Sequence, residues 1–257
     1  MKDDLARQVN IKNPAEITLM REAGRINAQA LEAVRAAIRP GATTADLNAA
    51  AEEILRKYGA YSPFYLYGTP PFPASICTSI NEELVHGIPG KRKLKEGDII
   101  SVDCGTVLEG YVGDSAFTAS VGEIPPTIHK LLEVTEKALY IAIDKMRVGH
   151  TTGDVSAAIQ QFVESSGFHV TREYTGHGVG RRMHEEPQVP NYGFPGMGVQ
   201  LKAGMTIALE PMVLVGTQRT RVLSNHWTVV SADGSLTAHF EHSVAVTEGE
   251  PLILTVL

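Results

Sequence analysis

The chain has two cysteines in 257 residues, Cys77 and Cys104, in different strand-like segments. Two such residues build neither a disulfide framework nor a CxxC metal site, which points to a reducing compartment. No run of apolar residues is long enough to span a membrane. The first residues, MKDDLARQVNIKNP, carry charge and no apolar h-region, so a secretory signal is not expected and the cytoplasm is the expected location. An excess of basic charge is also missing. The net charge of −6 argues against a nucleic-acid surface, and the one basic cluster, KRKLK (91–95), reads as a solvated turn before a strand. HExxH, GxSxG and P-loop motifs are absent. The chain that remains is an ordinary globular one, 43% hydrophobic and 20% charged, with ample length for a sizeable core.

What is present is a repeat. IRPGATTADLNAAAEEILRKYGA (38–60) aligns without gaps on MRVGHTTGDVSAAIQQFVESSGF (146–168), matching Gly41 to Gly149, Thr43 to Thr151, Asp46 to Asp154 and Gly59 to Gly167 at an offset of 108. LKEGDIISVDCG (94–105) is echoed by LKAGMTIALEPM (201–212), which sets Asp103 against Glu210 at an offset of 107. Such close offsets in separate segments mean one supersecondary unit used twice. The unit begins with a helix over 14–38, started by Asn-Pro and stopped by Gly41. A second helix follows, capped by Thr43 or Thr44 and ended by Gly59. The second half predicts helices over 126–146 and 152–166. Helix pairs followed by strands give an α/β (α+β) fold, one curved sheet backed by helices.

The strands aim acids at one place. A two-residue turn at Glu109-Gly110 would pair Leu108 with Tyr111 and Gly105 with Asp114, so Asp103 and Asp114 share a face. DSAFTASVGE (114–123) is matched by EHSVAVTEGE (241–250), which makes Glu241 the counterpart of Asp114. The offset of 127 between these two places about twenty inserted residues in 219–240, with an expected Asp-Gly hairpin at 233–234. Asp103, Asp114, Glu210 and Glu241 thus come from equivalent positions of two halves, and a pseudo-two-fold axis would gather them.

Four clustered carboxylates cannot all stay ionised without cations. His177, between glycines in TGHGVGRRMHEEPQVPNY, is the candidate imidazole. An oxygen-rich set with one nitrogen suits Mn²⁺, Fe²⁺, Co²⁺ or Zn²⁺, and so many anionic groups imply two ions. His86 and His184, in Gly- and Pro-bounded loops, are candidate proton donors or oxyanion stabilisers. His129, His150 and His169 read as structural, and His226, His239 and His242 carry no signal of their own.

VDCG…GDSAF, TGHGVGRRMHEEPQVPNY, ALEPMV and FEHSVAVTE, with NEELVHGIPG upstream, closely resemble type I methionine aminopeptidases over essentially the whole chain. The resemblance implies the pita-bread fold, two pseudo-symmetric halves with a curved mixed or antiparallel sheet around a dinuclear metal site. It implies one catalytic domain over 1–257, repeated internally at 14–123 and 126–250. Asp103, Asp114, His177, Glu210 and Glu241 would be the metal ligands, Asp114 and Glu241 bridging both ions. His86 and His184 fall on the family's substrate-contacting histidines. The sequence departs from the family at Met183, where an aromatic residue is common, and along FYLYGTPPFPASIC (64–77), which aligns loosely.

The implied activity is hydrolysis of the first peptide bond of a chain, releasing its initiator methionine. Glu210 would act as general base and acid, and one metal would hold the free α-amine. Cys77, Met212 and Trp227 are candidates for the methionine pocket. A small second residue such as Gly, Ala or Ser would be preferred, so this chain, starting Met1-Lys2, should keep its own methionine. The expected partners are nascent N-termini at the ribosome, met by a monomer, with no membrane or nucleic-acid partner. An aminopeptidase P-like activity is the nearer alternative. A binding module descended from such an enzyme is the further one, disfavoured because all five ligand candidates are present.

Overall fold

The structure, a computed structural model, describes residues 9–257. Among the described residues four helices carry the back of the molecule: α1 (Pro14–Ala37), α2 (Thr44–Lys57), α3 (Pro126–Asp144) and α4 (Thr152–Ser165). Asn13 caps α1, Thr43 caps α2 and Thr151 caps α4. Each side chain accepts from the third residue of its helix, and Glu16, Asp46 or Asp154 returns the bond. Such caps contribute roughly 1 kcal/mol each. Of the two threonines open to that role in α2, the cap is therefore Thr43. Helix α1 ends before Gly41, at Ile38, whose backbone is already extended. Pro40, two residues on, keeps the helix from resuming, since it disfavours the helical region at Arg39 and has no N–H to donate.

Among the described residues, fourteen strands follow the helices in the two halves. The eight-stranded sheet orders β1 (Cys77–Ile80), β3 (Ile99–Leu108), β4 (Tyr111–Ser120), β13 (Glu241–Ala245), β8 (Thr206–Leu209), β6 (Thr175–Gly178) and β7 (Glu185–Pro190), and β14 (Leu252–Ile253) pairs with β13. All its pairings are antiparallel. The hairpin β3–β4 has the expected register, Leu108 opposite Tyr111 and Gly105 opposite Asp114. Glu109 and Gly110 both have positive φ, as the twist-matched two-residue turn requires. Its counterpart is the pair β8–β13, and the halves join where β4 meets β13, Ala116 opposite Glu241.

Two three-stranded sheets stand beside the main one: β10 (Thr220–Val222), β11 (Val229–Ser231) and β2 (Glu83–Val85), then β12 (Thr237–His239), β9 (Met212–Leu214) and β5 (His169–Val170). The strand layer is thus more divided than one curved sheet. The expected Asp233-Gly234 hairpin is also corrected. That turn passes the chain from β11 to β12, which lie in different sheets, and β11 pairs instead with β10 and β2.

The core runs continuously from α1 and α2 through β3 to α3, α4 and β8. Under the β3–β4 hairpin, α1 lies against β4 itself: a Cβ on Gly113 would come 2.7 Å from the Gly24 backbone. The buried Asn27 side chain bonds the Cys104 carbonyl and accepts from Ser115 Oγ, tying α1 to the strands that carry Asp103 and Asp114. An amide with all partners inside the protein avoids the roughly 1–3 kcal/mol cost of an orphaned buried group and fixes the hairpin on the helix. Among the described residues no helix is long and apolar enough to cross a membrane.

Candidate metal centre

Each acid owes its position to a local feature. Asp103 sits mid-strand in β3, opposite Cys77 of β1. Asp114 is held in β4 by Ser243 of β13, whose Oγ accepts from its N–H and donates to its carbonyl. Glu241 opens β13. Glu210 falls in the break between β8 and β9, where Pro211 cannot donate to a ladder. The Asn191 side chain bridges that break, donating to the Glu210 carbonyl at 3.1 Å and accepting from the Met212 N–H at 3.0 Å.

All five ligand candidates face one cavity of about 560 Å³, together with His86, His184, Cys77, Met212 and Trp227. Ligand atoms of Asp114, His177 and Glu241 lie within 4.8 Å of one another. Glu210 Oε1 is 3.5 Å from His177 Nε2. The His177 Nδ1 lies 3.0 Å from the Gly178 carbonyl, which can only accept, so Nδ1 carries the proton and Nε2 offers its lone pair to the acids.

The electrostatics are those of a site lacking positive charge. Burial raises Asp114 to about 7. Burial and then the Asp114 charge hold Asp103 well above its usual range. Glu210 is raised by burial and by Asp103 and Asp114, and Glu241 by burial and by all three other acids. The imidazoles move the opposite way. Burial, then His184, lowers His86 and His177 to about 4, and burial lowers His184. Asp103 Oδ1, Asp114 Oδ1 and Glu241 Oε1 are buried without any hydrogen-bond partner. Orphaned carboxylate oxygens beside a free imidazole nitrogen fit divalent cations and little else, because a buried anion without a partner costs several kcal/mol.

His239 has no assigned role in the sequence motifs, yet its buried Nε2, also unpartnered, is 3.8 Å from carboxylate oxygens of both Glu210 and Glu241. The sequence carries no signal for it, because residues 239 and 241 end and begin separate strands of different sheets, and alternation does not pass from one to the other. The apolar end of the cavity was also only partly foreseen. Cys77 and Trp227 pack with Phe64, Phe72, Ala74 and Met183. Three of these four come from the loosely aligned 64–77 segment and the fourth is the Met183 departure.

A carboxylate-rich cavity lined by neutral imidazoles, set between two related halves of a sheet, fits a metal-dependent hydrolase. Comparison with known proteins gives the same class. Residues 18–248 match the metallopeptidase family M24, and the chain belongs to that family. It is 52% identical over 246 residues to a methionine aminopeptidase of Clostridium acetobutylicum, covering 95% of this chain and 98% of that one. It is 50% identical over 244 residues to methionine aminopeptidase 1 of Bacillus subtilis, covering 95% and 98%. The crystal structure of a methionine aminopeptidase from Thermotoga maritima superposes with a TM-score of 0.94 at 48% identity, covering 97% and 100%. The fold is accordingly the pita-bread fold.

Proposed function

We propose that this metallopeptidase removes the N-terminal methionine from proteins and peptides with the aid of two divalent cations, Co²⁺, Mn²⁺, Fe²⁺ or Zn²⁺, held by Asp103, Asp114, His177, Glu210 and Glu241. The observation that carries the reading is the set of buried, unpartnered carboxylate oxygens in one cavity with the His177 nitrogen. When bound, such cations supply a Lewis acid and make water acidic enough to attack near neutral pH.

The chain's own residues would do the rest. Glu210 is the acid placed at the strand break and the His177 edge, where it can take a proton from water and return it to the leaving amine. His86 and His184 line the same cavity as neutral imidazoles, so each has an N–H to offer the scissile amide and the charge that develops on its oxygen. The apolar end made by Cys77, Phe64, Phe72, Met183 and Trp227 accepts an unbranched thioether, with Met212 also lining the cavity. His86, Tyr174 and His184 crowd the path of the second residue and favour a small one there.

Every one of these groups comes from one chain, so a monomer suffices. Initiator methionines arise at ribosomes, so emerging chains in the cytoplasm are the expected substrates. The test is to strip the protein of metal, resupply each divalent ion in turn, and assay Met-Ala-Ser beside a peptide with Pro in second position. Cation-dependent release of methionine from Met-Ala-Ser is expected. Activity without any cation, or cleavage confined to the Pro peptide, overturns the proposal.

A further inference from the structure

The loop 64–73, between α2 and β1, carries Tyr67 to the mouth of the cavity, where its hydroxyl oxygen lies 3.0 Å from His184 Nδ1. The two rings are 5.6 Å apart and inclined at 59°. Neither atom's role is fixed by distance alone, but chemistry decides it. A phenol, of pKa about 10, is a far stronger acid than the N–H of neutral imidazole, and an imidazole nitrogen is a better acceptor than a phenol oxygen. The O–H therefore donates to Nδ1, and the imidazole proton resides on Nε2.

We propose that Tyr67 is a positioning residue for His184, fixing its imidazole as the tautomer that offers Nε2–H to the substrate. This rests on the reading that His184 hydrogen-bonds the scissile amide. The other tautomer would point a lone pair at the substrate oxygen, repelling the charge that develops there.

Tyr67 is itself 43% exposed, so burial does not hold it in place. The loop does. Leu66 N–H donates to the Phe72 carbonyl and Phe72 N–H to the Tyr67 carbonyl, both at 2.8 Å. Trp227, from the inserted β10–β11 segment, staples the outer turn. Its indole N–H donates to the Pro70 carbonyl at 2.9 Å and its ring meets Phe72 edge-on at 5.2 Å. Gly68 permits this approach: it has φ +73, and a Cβ there would stand 2.6 Å from the indole. The same indole flanks His86, with ring centroids 6.2 Å apart. The loosely aligned loop and the inserted segment thus meet at Trp227 and present a hydroxyl to one candidate substrate histidine while bracing the other.

The test uses the full zinc-loaded chain. Tyr67→Phe keeps the ring packing and removes only the hydroxyl. Its kcat on Met-Ala-Ser should fall roughly three- to tenfold, the effect of one lost hydrogen bond, with KM and zinc content near wild type. With ¹⁵N-labelled histidine, NMR should show His184 as a single Nε2–H tautomer in the wild type and a mixture of tautomers in Tyr67→Phe. Gly68→Ala, which pushes the loop off the indole, should give the same mixture. Wild-type kcat with a single unchanged tautomer in Tyr67→Phe overturns the proposal. His184→Ala separates the two levels. If it cleaves as the wild type does, the substrate-contact reading fails and takes this proposal with it. If it is impaired while Tyr67→Phe is silent, only the role of Tyr67 fails.

Discussion

Removing the cations should make this protein less stable as the pH rises, because its acids are protonated in the fold at a pH where the unfolded chain has ionised them. Asp114 gives the scale. Its carboxyl is raised by burial from 3.8 to about 7. Below pH 3.8 both states hold the proton and the group costs nothing. Between 3.8 and about 7 the folded state keeps a proton that the unfolded state has lost, so stability falls by about 1.4 kcal/mol per pH unit. Above pH 7 the loss is complete, at about 4 kcal/mol from this one residue. Asp103, Glu210 and Glu241 are raised as well and add to it in the same direction. A bound divalent cation cancels the penalty by favouring the ionised forms. Thermal unfolding followed by circular dichroism at pH 4, 5, 6, 7 and 8, with chelator or with Mn²⁺, isolates the effect as the gap between two curves. The gap should be small at pH 4 and widen to at least ~8 °C by pH 7, given ~2–4 °C per kcal/mol for a chain of this size. Parallel curves across that range would refute the assignment of these acids to a cation site.

Further outcomes test other parts of the site. Asp103→Asn or Glu241→Gln should abolish cleavage with the fold retained by circular dichroism, and activity within about tenfold of wild type (~1.4 kcal/mol) would remove that residue from the ligand set. Lys12→Met removes the charge partner of Glu185, leaving its carboxylate only the bonds from Asn10 Nδ2 and the Arg182 N–H; the ion pair, 2.6 Å long, is almost wholly buried. The loss should be about 3 kcal/mol or more, read as a lower denaturation midpoint, and an unchanged midpoint would show the pair to be dispensable. Met1 and Lys2 lie outside the described residues, but the specificity reading still applies to them. Protein made in a host with this activity should retain Met1, while Lys2→Ala should lose one methionine mass. Equal removal before Lys2 and before the alanine would exclude a small-residue wall.

Whatever depends on neighbours along the chain is legible in the order of the amino acids alone. Thr43 and Thr151 cap their helices because a hydroxyl and an acid three residues on suffice for a capping box. Glu109-Gly110 set the whole register of β3 on β4, and with it the shared face of Asp103 and Asp114, because strand side chains alternate with a period of two. The repeat offsets carried that geometry to Glu210 and Glu241. Other features joined residues that nothing local connects. Tyr67 meets His184 across 117 positions, and Lys12 meets Glu185 across 173. The Asp233-Gly234 turn had the chemistry of a hairpin, yet β11 found better partners in β10 and β2. His239 entered the acid cluster only because β12 pairs with β9, His239 opposite Met212, just past the break that holds Glu210. Caps, turns and alternation are enforced by bonds a few residues long, so they can be read from sequence. The contents of a cavity depend on which distant surfaces pack together, and only the folded chain decides that.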